Sequence, residues 1–369
     1  MEWKDYKLSQ LLTIKNGKDY KFLPTGDIPV FGSGGYMCSV KNSLYDGESI
    51  LLPRKGSLNN IQYYNGAFWT VDTCFYSIVN RECAVPYYLY LYLKNLDLSG
   101  LDTGASIPSM TIGTYYGITI KLPSLEYQDK VANTIQNYDT LIDINTKRIK
   151  LLEESARELY KEWFVRMRFP GYENTKLVKG VPEGWKVGCL KDVSTLVSKK
   201  VKSGVIPIYV TTDNMLKDFQ GIDYNELSEK PEGKVCEFEA GDILLSNIRP
   251  YFKKLWRANQ RGGCSADVLV FRANKKIDQH FLYYTMCTES FIDYVVAGSN
   301  GTKMPRGNKA FTMNFPIIIP DKGVMDLFHK NVVSVYSIIE TLQRQNLTLA
   351  ATRDRLLPRL LSGNLEVKA

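Results

Sequence analysis

Two stretches of this chain repeat apolar residues at alternating steps of three and four, and that spacing restricts the fold more than any other feature. In the first, from Ser124 to about Arg168, the seam runs Ile135, Tyr138, Ile142, Asn145, Ile149, Leu152, Ala156, Leu159 and Trp163. Such a heptad seam turns one stripe of a helix toward a partner. Lys147, Arg148, Lys150, Glu153, Glu154, Arg157 and Glu158 lie between these positions and give the helix a charged back. Pro123-Ser124 supplies a stop and a cap, with Glu126 in the first turn, where the helix dipole favours an anion.

The second stretch, Asp321 to Leu361, places Val332, Val335, Ile339, Leu342, Asn346, Leu349, Arg353, Leu356 and Leu360 in the same register, 197 positions on. It follows Pro320-Asp321 as the first follows Pro123-Ser124. Four heptads make a seam of roughly 42 Å at about 1.5 Å per residue. The simplest arrangement buries the seams on each other as an antiparallel pair, because a globular segment intervenes. Two amphipathic helices, each packed on its own domain, satisfy the same spacing.

A repeat favours the pair. Trp3-Lys4-x-x-x-Leu8 returns as Trp185-Lys186-x-x-x-Leu190, and Ile28-Pro29-Val30-Phe31 as Ile206-Pro207-Ile208-Tyr209. Gly47-Glu48-Ser49-Ile50-Leu51-Leu52 resembles Gly241-Asp242-Ile243-Leu244-Leu245, and Ile120-Lys121-Leu122-Pro123 resembles Ile317-Ile318-Ile319-Pro320. These matches are collinear, so the chain reads as a duplication of a globular domain followed by a long helix. The bounds expected are 1–122 for the first domain, 123–168 for its helix, 169–184 for a linker, 185–319 for the second domain and 320–363 for the last helix. The domains read as β-rich, with strands at Ser49–Leu52, Phe68–Val79, Val205–Thr211, Asp267–Phe271 and Phe315–Ile319 and helices at Pro86–Asn95 and Asp278–Val296. The fold class expected is α+β: two β-rich domains related by pseudo-twofold symmetry, joined by two long antiparallel helices in a coiled coil.

Several chemistries find no residues to carry them. The two histidines, His280 and His329, have no Cys or carboxylate partner at ligand or triad spacing and read as structural. The seven cysteines are scattered without a C-x-x-C pair, which suits reduced thiols rather than a disulfide frame or a zinc site. There is no G-x-x-x-x-G-K-[ST] loop, no Asn-Pro-Pro-aromatic motif, no glycine-rich S-adenosylmethionine loop and no Pro-Asp…Glu-x-Lys set. Gly32-Ser33-Gly34-Gly35 reads as a turn between strands. No apolar run reaches membrane-spanning length and the N-terminus lacks a leader's apolar core, so no membrane contact and a cytoplasmic location are expected. A non-catalytic role follows.

What remains is basic and polar loops on β-rich domains, in a chain of net charge +8. In the second half the clusters are Lys199, Lys200 and Lys202; Asn247, Arg249, Tyr251, Lys253 and Lys254; and Asn300, Thr302, Lys303, Arg306 and Asn308. In the first half Lys15, Asn16 and Lys18, then Arg54, Lys55, Ser57, Asn59 and Asn60, then Ser106, Ser109 and Thr111 fall at corresponding places. Arg and Asn read guanine and adenine edges bidentately, whereas Lys and Thr suit phosphates. The pattern does not separate the two roles. Two readers on a rod of about 40 Å match half-sites one DNA turn apart, about 34 Å.

The chain resembles the specificity subunit of type I restriction-modification systems over essentially its whole length. The resemblance rests on Val181-Pro182-Glu183-Gly184-Trp185-Lys186, on Glu158-Leu159-Tyr160-Lys161-Glu162-Trp163-Phe164-Val165, on Gly241-Asp242-Ile243-Leu244-Leu245-Ser246-Asn247-Ile248-Arg249-Pro250 and on Arg355-Leu356-Leu357-Pro358-Arg359-Leu360-Leu361-Ser362-Gly363. It implies two target-recognition domains, each reading one half of a split, asymmetric site in double-stranded DNA, with the helices as a ruler. It also implies two methyltransferase subunits that carry S-adenosylmethionine and act on adenine, joined by restriction subunits that use ATP and Mg²⁺. No cofactor is implied for this chain itself. Ile135, Ile142, Ile149, Leu152, Leu159, Ile339, Leu342, Leu349, Leu356 and Leu360 would form the coiled coil and partner surface. The polar seam residues Asn145, Asn346 and Arg353 leave its register open. A protein-interaction scaffold of paired β-rich modules is the alternative, and a fused methyltransferase-nuclease lacking its catalytic half a third.

Overall fold

The computed structural model describes residues 2–98, 100, 108–224 and 226–365. The chain forms two compact units, one comprising residues up to Lys147 together with those from Leu342 on, the other Arg148–Thr341. The boundary therefore runs through both long helices, and each unit owns part of each.

Unit 1 opens with β1 (Lys4–Lys7), α1 (Leu8–Leu11) and β2 (Leu12–Lys15), followed by β3 (Thr25–Gly32), β4 (Gly35–Val40), β5 (Tyr45–Pro53), β6 (Gln62–Thr70) and β7 (Cys74–Val79). The last six strands form one sheet in the order β2-β7-β5-β6-β3-β4. Its central strand explains why. Ser49-Ile50-Leu51-Leu52 is buried on both faces: Ile50 and Leu52 meet Leu8, Phe75 and Tyr88, while Leu51 meets Phe68 and Cys74 on the other side. Its buried Ser49 hydroxyl donates to the carbonyl of Ser77 at 2.7 Å, so that hydroxyl is not left bare. Then come α2 (Pro86–Lys94), α3 (Ile112–Gly117), β8 (Thr119–Leu122) and α4 (Leu125–Tyr160). β8 pairs antiparallel with β1, Lys4 opposite Leu122.

Unit 2 repeats the frame. A short hairpin, β9 (Leu177–Val178) and β10 (Val181–Pro182), precedes β11 (Lys186–Cys189), α5 (Leu190–Val193) and β12 (Ser194–Leu196). β13 (Lys200–Lys202), β14 (Tyr209–Val210), β15 (Lys234–Phe238), β16 (Ile243–Ser246), β17 (Leu255–Arg257), β18 (Gly262–Cys264) and β19 (Val268–Ala273) make two four-stranded sheets, β12-β19-β16-β17 and β13-β15-β18-β14. The remaining elements are α6 (Gln279–Met286), α7 (Glu289–Ala297), α8 (Lys309–Thr312), β20 (Pro316–Ile319) and α9 (Lys322–Leu361). β11 pairs with β20 as β1 does with β8.

Three expected elements are shorter than the sequence suggests, and the first, Phe68–Val79, breaks at Val71-Asp72-Thr73 between β6 and β7. Val205–Thr211 is extended only at β14, because Ser203–Val205 closes a 3-10 turn. Asp278–Val296 is broken at Cys287-Thr288, where the Thr288 hydroxyl caps α7 by accepting from Phe291 N. Residues 169–184 are held to unit 2: Phe169 is buried with its ring 4.7 Å from that of Trp185.

Within each unit α4 and α9 run antiparallel. In unit 1 the Tyr127 hydroxyl donates to Leu360 O at 3.0 Å, Arg353 pairs with Asp139, and Asn145 Nδ2 donates to Asn346 Oδ1 at 3.0 Å. In unit 2 the Phe328 ring stands 5.0 Å from Phe164 and 6.3 Å from Tyr160. The three polar seam residues thus fix the register that their sequence leaves open, since a displaced helix would strand them against apolar neighbours. Ile135, Ile339, Leu342 and Leu360 are buried, whereas Ile142, Ile149, Leu152, Leu159, Leu349 and Leu356 are half-buried. Ile135 and Leu360 pack into the core of unit 1 beside Tyr88 and Tyr115, so the seam also binds helix to body. Among the described residues no helix is long and apolar enough to cross a membrane.

Candidate nucleic-acid interface

In unit 1 the loops flagged by the sequence converge on the turn Val71-Asp72-Thr73 between β6 and β7. Lys18 N donates to Thr70 O at 2.8 Å, and the Lys18 carbonyl accepts from the Trp69 indole at 2.7 Å. A Cβ at Gly17 would lie 2.0 Å from Val71 O, so only glycine lets that loop lie down. Arg54 N donates to Thr73 O at 2.8 Å, and the Arg54 guanidinium donates to Asp72 O at 3.3 Å. Gly56 N donates to Pro108 O and Met110 N to Arg54 O, both at 2.9 Å, tying Lys55 beside Ser109. Lys15, Asn16, Lys18, Lys55, Ser57 and Asn59 are exposed, and Arg54, Asn60 and Ser109 half-buried. Thr111 is exposed, and its hydroxyl caps α3 by accepting from Thr114 N at 3.1 Å. Ser106 lies outside the described residues.

Unit 2 builds the same crossing. Arg249 N donates to Pro305 O at 2.8 Å and Gly307 N to Asn247 O at 3.0 Å. Asn247 therefore matches Arg54, Arg249 matches Gly56, and Arg306 matches Ser109. Asn308 caps α8 as Thr111 caps α3. Asp267 plays the part of the unit 1 turn: its carbonyl accepts from Asn247 N at 2.8 Å and its carboxylate holds Arg306 at 3.1 Å. Asn300 and Arg306 exchange backbone bonds of 3.0 and 2.9 Å, which lifts Thr302 and Lys303 to the tip of a small exposed hairpin.

Not every flagged cation is free to meet a ligand. Lys253 is held by Glu289 at 2.7 Å, and Lys254 donates to Thr212 O at 2.5 Å. Lys199 pairs at 2.6 Å with Glu237, which Arg261 also holds and whose carboxyl these cations keep below the usual range. Lys199, Lys200 and Lys202 are exposed at or beside the edge strand β13, in a different sheet from β16, which leads into Asn247 and Arg249. The side chain of Tyr251 is exposed next to Arg249. Sequence reasoning supplied the residue types but missed the organising turns, because Asp72, Thr73 and Asp267 receive the loops largely through backbone carbonyls, which carry no composition signal.

The expectation that the histidines lack a carboxylate partner is corrected. His280 Nδ1 lies 3.1 Å from one oxygen of Asp278 and His329 Nδ1 2.6 Å from the other, bringing α9 onto the start of α6. Sequence spacing hid this because His329 is 51 residues from Asp278. Among the described residues this is the one group of His and carboxylate side chains close enough to hold a cation. Its carboxylate is already engaged by both imidazoles and by the amides of His280 and Phe281. Burial pushes the His280 imidazole down, assisted by Arg257 and His329 and opposed by Asp278. For Asp278 burial acts upward, but hydrogen bonds from both histidines outweigh it and hold the carboxyl well below its usual range. Both folded-state values lie below the unfolded ones, so the unfolded chain takes up more protons and acid destabilises unit 2. The loss begins as pH falls through about 6.5 for His280 and continues below about 4 for Asp278. His280→Gln should flatten the melting temperature between pH 7 and 5, and an unchanged slope would remove His280 as its source.

The comparisons with known proteins agree with this architecture. Residues 1–154 match the family model described as type I restriction modification DNA specificity domain. The type I restriction enzyme MjaIX specificity subunit of Methanocaldococcus jannaschii is 26% identical, covering 95% of this chain and 84% of its own length. The EcoDI specificity subunit of Escherichia coli is 23% identical, covering 94% and 84%. The crystal structure of the S subunit from M. genitalium superposes with a TM-score of 0.63 at 13% identity, over 97% of this chain and 96% of that one, which is a likeness of fold. On these matches the chain is similar, over nearly its whole length, to specificity subunits of type I restriction-modification systems, and its duplicated α+β body and paired long helices have the fold of a solved S subunit.

Proposed function

We propose that this chain is the non-catalytic, sequence-specific DNA-binding subunit of a type I restriction-modification complex, and that each unit reads one part of a bipartite site. The observation that carries this reading is the loop crossing built twice, Arg54–Gly56 against Pro108–Met110 and Asn247–Arg249 against Pro305–Gly307. A duplicated frame that presents polar side chains at matched positions suits a repeated ligand such as a duplex. The matched residues differ, Arg for Asn, Gly for Arg and Ser for Arg, so the two half-sites should differ as well. On this reading two methyltransferase subunits supply S-adenosylmethionine and modify adenine, and restriction subunits supply ATP- and Mg²⁺-dependent cleavage.

Comparing the methylomes of cells with and without this chain tests the assignment. Loss of one split, asymmetric adenine motif is the expected result. A scaffold without DNA specificity would leave the methylome unchanged and give no site-specific band in a gel shift with its methyltransferase partners. Phosphate anchors should be separable from base readers by salt. Lys55, with no ion-pair partner among the described residues, should on replacement by Ala lower the slope of log K against log salt by about one unit. Lys253→Ala should lower it less, because Glu289 already neutralises that ammonium. An unchanged slope for Lys55→Ala would remove Lys55 from the phosphate contacts.

A further inference from the structure

The β3–β4 hairpin of unit 1 was expected to be no more than a turn, yet the structure fastens its tip to the loops described above. Asn60 Nδ2 donates to Ser33 O at 2.8 Å and Gln62 Nε2 to Gly32 O at 3.1 Å. Ser33 N approaches Thr73 Oγ1 at 3.5 Å, on the same turn that receives Arg54 and Lys55. The tip is open to solvent: a Cβ added at Gly34 would meet nothing within 4 Å. Two large side chains at the start of β4 are exposed there, Tyr36 and Met37. Met37 is 50% exposed, and its Sδ lies 2.9 Å from where a Cβ of Gly32 would be. That same point is 3.4 Å from Val71 Cγ2 and 3.5 Å from Thr73 Oγ1, which places the thioether on the face of the converging loops. The neighbouring Tyr36 faces the other way and sits edge-on to Phe31 at 6.5 Å.

We infer that Met37, carried on this hairpin, is a base-reading residue of unit 1, making an apolar contact with the 5-methyl group of a thymine. The inference rests on the DNA-binding reading given above. Its chemistry follows from what lies around it. Lys18, Arg54 and Lys55 supply positive charge beside the tip, so a duplex is drawn to this face. The major groove offers a single apolar group, the thymine methyl. A flexible thioether with three rotatable bonds adapts to such a surface at little cost in strain. The glycines at 34 and 35 let the tip approach bases closely, Gly35 having φ +114°.

The test uses the chain assembled with its methyltransferase partners, its mapped site and random DNA. Met37→Ala should weaken the cognate complex by at least about tenfold, the scale of one buried side chain, with the salt slope unchanged. Met37→Leu should retain most of the affinity. Replacing thymines one at a time by uracil in the half-site of unit 1 should reveal one position. There, loss of the methyl should weaken the unsubstituted complex by about fourfold and leave Met37→Ala unaffected. If no position couples to Met37, or if the Ala variant weakens cognate and random DNA equally, the inference is overturned while DNA specificity stands. Absence of any site-specific complex with the unsubstituted chain overturns both.

Discussion

Arg249→Gly is expected to leave unit 2 folded, or to raise its melting temperature, while methylation of the whole site falls at least about thirtyfold, the scale of one bidentate base contact. The argument comes from comparing the two crossings. At the position where unit 1 has Gly56, with φ +85°, unit 2 has Arg249 in the left-handed region at φ +48°. Glycine takes that backbone freely, whereas a side chain costs about 1 kcal/mol or more there. Arg249 also buries its Nε without a hydrogen-bond partner, its guanidinium lying 6.0 Å from the centre of the Phe252 ring. A buried donor left bare costs about 1–3 kcal/mol. Two penalties at one residue are relieved if an acceptor arrives with the ligand, and a guanine edge or a phosphate would serve. Glycine removes the strain together with the function, so thermal unfolding and methylation should move in opposite directions. A variant that methylates normally would take Arg249 out of the reading face, and one that unfolds would make its role structural.

That comparison marks where the sequence was legible and where it was not. The duplication, the two long helices and their antiparallel sense could be read because period and order survive loop changes. The residue-by-residue match inside those clusters could not be read: the backbone crossings place Arg54 opposite Asn247, and Gly56 opposite Arg249, in the alignment of the two frames. Matching clusters by composition ignores register, and register here is set by bridges between loops about fifty residues apart, such as Lys55 with Ser109 and Ile248 with Arg306. The same blindness hid the meeting of His280 and His329 on Asp278. It also hid that the Thr111 hydroxyl caps α3. Conversely, Asn145, Asn346 and Arg353 looked like flaws in an apolar seam, because the partners that complete them lie about 200 residues away on the other helix.

Phe328→Ala should unfold unit 2 selectively, at a cost of about 3–5 kcal/mol, a large part of the stability of an ordinary domain. The ring is fully buried on α9 and meets Phe164 at 5.0 Å, Trp163 at 6.0 Å and Tyr160 at 6.3 Å. Those three come from the end of α4 and from the π-helical turn Lys161–Val165 that follows it. The turn widens the helix end, and the adjacent Trp163 and Phe164 are both buried, although the heptad seam contains only the first. Phe164 reaches on to Phe281 at 4.8 Å and to Trp185 at 6.0 Å, so one ring on α9 closes a cluster that also holds α6 and the start of the second body. Removing it leaves a cavity among aromatic rings, which cannot collapse as aliphatic side chains can. The core of unit 1 is formed by other residues, Ile135, Leu360 and Tyr115 among them. Hydrogen exchange should therefore show protection lost in β16 and β19 and kept in β5 and β7. Equal loss in both units would mean that the two cores fold as one cooperative body, and no loss in either would mean that the aromatic cluster repacks around the missing ring.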